Sequence, residues 1–308
     1  MIGNVSIVTP SYLGDLDRCQ LLCDTMDRYC TGFSRHCIVV DDEDLAVFAR
    51  LAGPTRHVIA TSSLLPKFWT VAQWRGRRYR WRPGMRLPIY GWHLQQLRKI
   101  AFTLAQDADR VVCIDSDVCF CRSADLGELA AADRTPLSVQ SQTITSAQPN
   151  HVRWRENAYR ALGVAAPPLP GDDFIGQMIT WDRATMKTIT DRIEQVNGRP
   201  WWEVLARQRD FSEYLIYGAA VSGDMRLKRG HEPVDRSPCF AYWSGPPLDA
   251  RSLEHLIAQL QPDQYALAIQ SHTRTPLTVI RSAVMACSTA RKGSSTIYRV
   301  SAAVPSSR

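Results

Sequence analysis

The chain has 308 residues, is 45% hydrophobic and 22% charged, and carries no long biased tract. It has room for a large core in one or two domains, and no run approaches the roughly 20 apolar residues of a bilayer-crossing helix. Its net charge of +7 is matched by one segment, 66–90, which holds Lys67, Arg75, Arg77, Arg78, Arg80, Arg82 and Arg86 and no acid; the near-neutral remainder argues against a general nucleic-acid binder.

The N-terminus "MIGNVSIVTPSY" runs directly into a strand, without the basic and apolar segments of an export signal. The expectation is a cytoplasmic protein, with peripheral contact at the inner membrane as an option. The nine cysteines are too loosely spaced for a zinc ribbon and are expected to be reduced and mostly buried. "VSIVT" (Val5 to Thr9) reads as a buried strand stopped by Pro10, and Leu21, Leu22, Met26 and Tyr29 predict a helix from about Asp15 to Tyr29. "HCIVVDDED" (His36 to Asp44) is a second strand ending in acids, and "HVIA" (His57 to Ala60) a third. After the basic-aromatic segment, "GWHLQQLRKIAFTLAQDAD" predicts a helix and "RVVCID" a strand. Further on, "HVRWRENAYRALG" (His151 to Gly163) reads as a helix, "QMITW" (Gln177 to Trp181) as a strand and Asp182 to about Val196 as a helix. "FSEYLIYGAAV" opens another helix with Ser212 as cap, and "QYALAIQSH" (Gln264 to His272) is a late strand.

Strands alternating with helices predict an α/β fold: a single domain with a mostly parallel central sheet and helices on both faces. The domain is expected over 1–285, with 286–308 a disordered tail. Ligands of such sheets bind outside the carboxyl ends of the strands. Thr9 to Tyr12, Asp41-Asp42 and Asp115-Ser116-Asp117 all fall at such ends. Two carboxylates one residue apart, where a strand turns into a loop, suit one hard cation, Mg2+ or Mn2+, with coordination positions left for substrate phosphates. The alternative is a turn with a capping Asp.

The combination of "VSIVTPSY", "VVDDED" and a central "VVCIDSDV" resembles the GT-A-fold nucleotide-sugar glycosyltransferases. "GWHLQQLRKI" and "FSEYLIYG" narrow the resemblance to a bacterial group of glycosyltransferases related to polysaccharide-synthesis enzymes, over roughly 4–275. The resemblance implies a Rossmann-like, GT-A-like sheet with a nucleotide-binding half (1–120) and an acceptor-binding half (121–285). It implies that Asp115 and Asp117 hold Mn2+ or Mg2+ against the donor diphosphate, with His272 as a third ligand and His231 in reserve. Thr9, Ser11, Tyr12, Asp41, Asp42 and Ser116 would line the nucleotide-sugar pocket, Tyr12 stacking on the base. Gln96 and Lys99 would approach donor sugar or phosphate. Glu213 is the first choice for a catalytic base, with Asp172 and Asp173 as competitors for that role or as binders of donor-sugar hydroxyls.

The implied reaction is transfer to a glycan, lipid-linked or other hydroxyl acceptor, with a lean to inversion. Segment 66–90 is then a lid over the diphosphate, a dock for an anionic acceptor or membrane surface, or a solvated loop; nucleic acid is not expected as a partner. A metal-dependent phosphohydrolase is the alternative enzyme, but "DSDVC" is central and lacks the hydroxyl that follows the second Asp in such enzymes. A non-catalytic nucleotide-sugar-binding module is the alternative without chemistry.

Overall fold

The computed structural model describes residues 5–287 apart from 75, 76, 84, 86, 131, 132 and 209. The first half contains β1 (Val5–Pro10), α1 (Leu16–Tyr29), β2 (Cys30–Thr31), β3 (Arg35–Val40), α2 (Leu45–Phe48) and β4 (Arg56–Ala60). It continues through β5 (Trp69–Trp74), β6 (Arg77–Trp81), β7 (Ile89–Tyr90), α3 (Gly91–Ala105), β8 (Arg110–Cys113) and β9 (Val118–Phe120). Then come β10 (Ala124–Asp125), α4 (Leu126–Ala130), β11 (Thr135–Ser138), β12 (Gln140–Ile144), α5 (Pro149–Ala161), β13 (Gly171–Asp173) and β14 (Ile179–Asp182). The last part holds α6 (Arg183–Asn197), α7 (Trp201–Arg207), α8 (Glu213–Gly223), α9 (Met225–Arg229), β15 (His231–Val234), β16 (Cys239–Tyr242), α10 (Ala250–Ala258), β17 (Ala266–Ile269) and α11 (Leu277–Met285).

The fold is α/β around a mixed five-stranded sheet of order β14-β8-β1-β3-β4. Its pairings are parallel except β14 on β8. Strand β1 is buried at every position, as an apolar, β-branched run in mid-sheet must be. Its alternate side chains go to opposite faces. Val8, with Cys37, Val39 and Cys113, packs on Leu94, Leu97 and Phe102 of α3. Val5 and Ile7, with Val112 and Ile114, pack on Leu22 and Met26 of α1. Helices therefore cover both faces, and each strand's two-residue period supplies two cores.

The register sets the working edge. Val8 pairs with Cys37 on one side and Cys113 on the other, so β1, β3 and β8 end together. Ser11, Asp41 and Asp115 leave from that edge. A smaller sheet, β16-β17-β9, runs on from it: the Ile269 amide donates to the Asp117 carbonyl at 3.2 Å, which brings the end of β17 alongside the second aspartate.

Sequence and structure part company at 66–90. Much of the segment is regular: β5, β6 and β7 form a three-stranded antiparallel sheet. Helices α10 and α11, which period reading passed over, cover the β16-β17-β9 sheet through Leu253, Ile280 and Val284, and the Tyr29 hydroxyl donates to the Val284 carbonyl at 2.8 Å. All nine cysteines are free, Cys30 and Cys287 half-buried and the rest buried. Most of the tail expected over 286–308 lies outside the described residues. No described helix is long and apolar enough to cross a membrane.

Candidate functional site

Strand β8 ends at Cys113, and the chain then turns through Asp115-Ser116-Asp117 before β9, the Val118 amide donating to the Asp115 carbonyl at 3.1 Å. The turn is crowded with acid. The Ser116 hydroxyl donates to Asp15 Oδ2 at 3.2 Å, which adds a third carboxylate from the loop after β1. Asp117 Oδ1 is buried and has no hydrogen-bond partner among the described residues. Burial first, then the charges of Asp115 and Asp15, push the Asp117 carboxyl up to about 7. Burial likewise raises Asp15, with the Ser116 hydrogen bond and Arg18 pulling the other way.

Asp115 is compensated differently. Its Oδ1 lies 2.8 Å from Lys99 Nζ, a charge contact off the hydrogen-bond direction. Lys99 also donates to Glu213 Oε1 at 3.1 Å and to the Tyr214 hydroxyl at 2.8 Å, and its ammonium lies 4.7 Å from the Tyr214 ring centre. Burial works against the Lys99 charge, but Asp115, Tyr214 and Glu213 outweigh it and hold its pKa well above the ordinary lysine range. Burial raises Glu213, and Lys99 offsets this only in part. Gln96, one turn earlier on α3, accepts from the Glu213 amide through Oε1 at 3.1 Å. It thereby serves one of the orphan amides at the start of α8, while Ser212 accepts from the Leu215 amide at 3.5 Å. Gln96 and Lys99, expected at the donor sugar or phosphate, thus spend their polar groups inside the protein, on α8 and Asp115.

The other predicted residues separate into two groups. Tyr12 stands 46% exposed at the edge, with its ring against Gly14, where an added Cβ would sit 2.5 Å from Tyr12 Cε2. Asp42 is exposed and hydrogen-bonded by Ser62, and Asp172 is half-buried with one oxygen accepting from the Gln142 amide at 2.9 Å. Asp172 lies on β13, paired with β12 in a separate sheet, while Tyr12 and Asp42, with Ser116 and the Asp pair, belong to the rim. Thr9 does not: it is fully buried, and its hydroxyl accepts from His36 Nε2 at 2.9 Å inside the sheet. Ser11 is buried, its carbonyl accepting from Arg98 Nη1 at 3.0 Å. Asp41, expected to meet base or ribose, has both oxygens engaged by the guanidinium groups of Arg98 and Arg80. Asp173 holds His151 Nδ1 at 3.0 Å and the Ile175 amide at 2.9 Å. Buried polar groups need partners, and in Thr9, Asp41 and Asp173 the partners are internal, whereas the buried Ser11 hydroxyl has none among the described residues.

Two arginines of 66–90, Arg78 and Arg80, are likewise spoken for. Arg80 is buried on Asp41, and Arg78 donates to both oxygens of Asp44 at 2.8 Å, so β6 is clamped to the end of β3 where a lid over a diphosphate was expected. His272 is exposed in the turn after β17. Among the described residues no three His, Cys, Asp or Glu side chains are gathered closely enough to hold a metal, so the expected triad with His272 is not assembled. His231 is excluded on other grounds: the Tyr217 hydroxyl and the Leu227 carbonyl, both at 2.7 Å, occupy its two ring nitrogens. Sequence reasoning missed Asp15, Arg18, Arg98 and Tyr214. The signal available for the first two was their place in "YLGDLDR", directly after the first strand end.

The pattern of one family matches residues 3–290, almost the entire chain. The chain belongs to DUF6492, a family of unknown function. No curated protein matches it. Within this DUF6492 chain the donor set at the edge is oxygen-only and includes a partnerless buried carboxylate oxygen, which fits a hard cation. Two carboxylates and no third protein ligand is the complement with which Mg2+ commonly binds when substrate phosphates complete the shell.

Proposed function

We propose that the protein is a metal-dependent glycosyltransferase built on a GT-A-like framework. It moves a sugar from a nucleotide-diphosphate sugar to a hydroxyl of a glycan, lipid-linked or other acceptor. The observation that carries this reading is the turn after β8, where Asp115 and Asp117 crowd together and Asp117 Oδ1 is left buried and unpartnered. A buried charge without a partner is costly, and a cation with its diphosphate removes that cost.

Bound Mn2+ or Mg2+ supplies Lewis-acid neutralisation of the leaving diphosphate. Asp115 and Asp117 hold the cation, with Lys99 and Glu213 fixing the Asp115 rotamer from behind. Tyr12 offers its exposed ring to the base, and Ser116 orients Asp15 beside the pair. Glu213 is 4% exposed and committed to Lys99, so the base role passes to Asp172, which is half-buried with one oxygen on the Gln142 amide. In the inverting course it takes the acceptor proton as the hydroxyl oxygen bonds the anomeric carbon and the diphosphate leaves.

Calorimetric titration with UDP, GDP and CDP, with and without Mn2+, tests the reading on the wild type and on Asp115→Ala/Asp117→Ala. The expected result is binding of one nucleotide with Kd about 1–100 μM that needs both the metal and the aspartates. Absence of binding by all three with metal present overturns it, and phosphate release without sugar transfer would favour the phosphohydrolase instead.

A further inference from the structure

A sugar-nucleotide diphosphate needs cationic partners besides the metal, and the cations around this edge are mostly consumed. Arg98 and Arg80 lie on Asp41, Arg78 on Asp44, and Lys99 on Asp115 and Glu213. Arg18 is not consumed in this way. It sits in the first turns of α1, half-buried, and makes no ion pair among the described residues. Its Nη1 donates to the Ile269 carbonyl at 2.9 Å, and the Ile269 amide in turn donates to the Asp117 carbonyl at 3.2 Å. The guanidinium is therefore tied to the strand end that abuts the Asp pair. One guanidinium is thus held beside the acidic turn, on the helix into which the Tyr12 loop leads.

We propose that Arg18 is the side chain that receives the phosphates of the nucleotide, between a base on Tyr12 and a cation on Asp115 and Asp117. The inference rests on the glycosyltransferase reading and assigns it a residue that the sequence motifs leave out. The chemistry favours this placement. A guanidinium keeps its charge at any working pH and offers five N–H donors to phosphate oxygens. With one nitrogen bonded to a backbone carbonyl, Arg18 is already oriented, so less side-chain freedom is lost on binding. The lid arginines of 66–90 are not required for this role.

The test compares Arg18→Gln and Arg18→Lys with the wild type, and uses Arg274→Gln, exposed beyond β17, as a control. Each is titrated with Mn2+ alone, with UDP, GDP and CDP plus Mn2+, and with UMP, GMP and CMP plus Mn2+. Arg18→Gln should weaken binding of the recognised diphosphate about tenfold or more, the scale of a lost charge-assisted contact. It should weaken the matching monophosphate less and leave affinity for Mn2+ alone unchanged or higher, because a competing positive charge is gone. Arg18→Lys should recover part of the loss. A merely structural effect, through release of Ile269, would weaken Mn2+ alone as well, and that outcome overturns the proposal. So does diphosphate binding by Arg18→Gln within about twofold of wild type, or a loss confined to Arg274→Gln. If the wild type itself binds no nucleotide, the failure lies with the glycosyltransferase reading, and this inference falls with it.

Discussion

With Lys99 buried between Asp115, Glu213 and the Tyr214 hydroxyl, removal of its ammonium leaves two carboxylates without a counter-charge where water scarcely reaches. Truncating one partner of a buried pair typically costs about 3–5 kcal/mol. Lys99→Met should lower the urea-unfolding free energy by an amount in that range, and a loss below about 1 kcal/mol would mean that the network relaxes into solvent. His36 carries a second residue-scale prediction. It is buried between the Thr9 hydroxyl and Arg56, whose Nε donates to His36 Nδ1 at 3.1 Å. Burial, helped by the Arg56 charge, lowers its pKa to about 3. The unfolded chain therefore binds a proton that the folded one refuses between about pH 6.5 and 3. Stability from this residue is complete above that window and falls as pH drops through it, by up to about 1.4 kcal/mol per pH unit. Stability of the wild type and of His36→Gln should be followed from pH 7.5 to pH 4; equal slopes for the two would contradict the assignment.

At the scale of elements, α8 is the helix on which the site leans, because Glu213 and Tyr214 open it and Gly218 receives Phe174 on its side. A Cβ at Gly218 would lie 2.0 Å from Phe174 Cγ, so the glycine is there for close approach, and the end of β13, which carries Asp172 and Asp173, docks through it. Gly218→Ala forces Phe174 out and should destabilise by about 1–3 kcal/mol, as overpacking does. Phe174→Leu in the same chain should return part of the loss; no rescue would place the strain elsewhere. The β5–β6 hairpin depends instead on charge. Asp41→Asn takes the anionic partner from Arg80 and Arg98, and amides of β6 should then exchange with deuterium faster while those of β1 and β8 keep their protection.

At the scale of the whole molecule, the acidic edge is a local cost that the cores on the two faces of the sheet sustain. A ligand that binds only the folded state returns stability by mass action, about 2.7 kcal/mol at a hundredfold excess over Kd. Mn2+ with the recognised nucleoside diphosphate should therefore raise the Tm of the wild type by several degrees and leave that of Asp115→Ala/Asp117→Ala unmoved. A matching rise in the double variant would put the stabilising site elsewhere.

Much of the frame was legible because it is periodic. β1, β3, β4 and β8 announce themselves as short apolar runs, and α1, α3, α6 and α8 by helical spacing and, for the last, by the Ser212 cap. The β5–β7 sheet was hidden because Arg-rich strands carry no apolar alternation; acids at the end of β3 make them strands by neutralising Arg78 and Arg80. Segments α10 and α11 were missed because their apolar stripes have meaning only against β17. The site divides in the same way. Local order by itself determined that Asp115 and Asp117 stand at a strand end, since two neighbours in sequence must be neighbours in space. Only the tertiary structure decided which remote charges reach them: it brought Lys99, Glu213, Asp15 and Arg18 to that turn and turned Thr9 and Asp41 to internal partners. Burial and hydrogen bonding are set by residues a hundred positions away, and no local pattern encodes them.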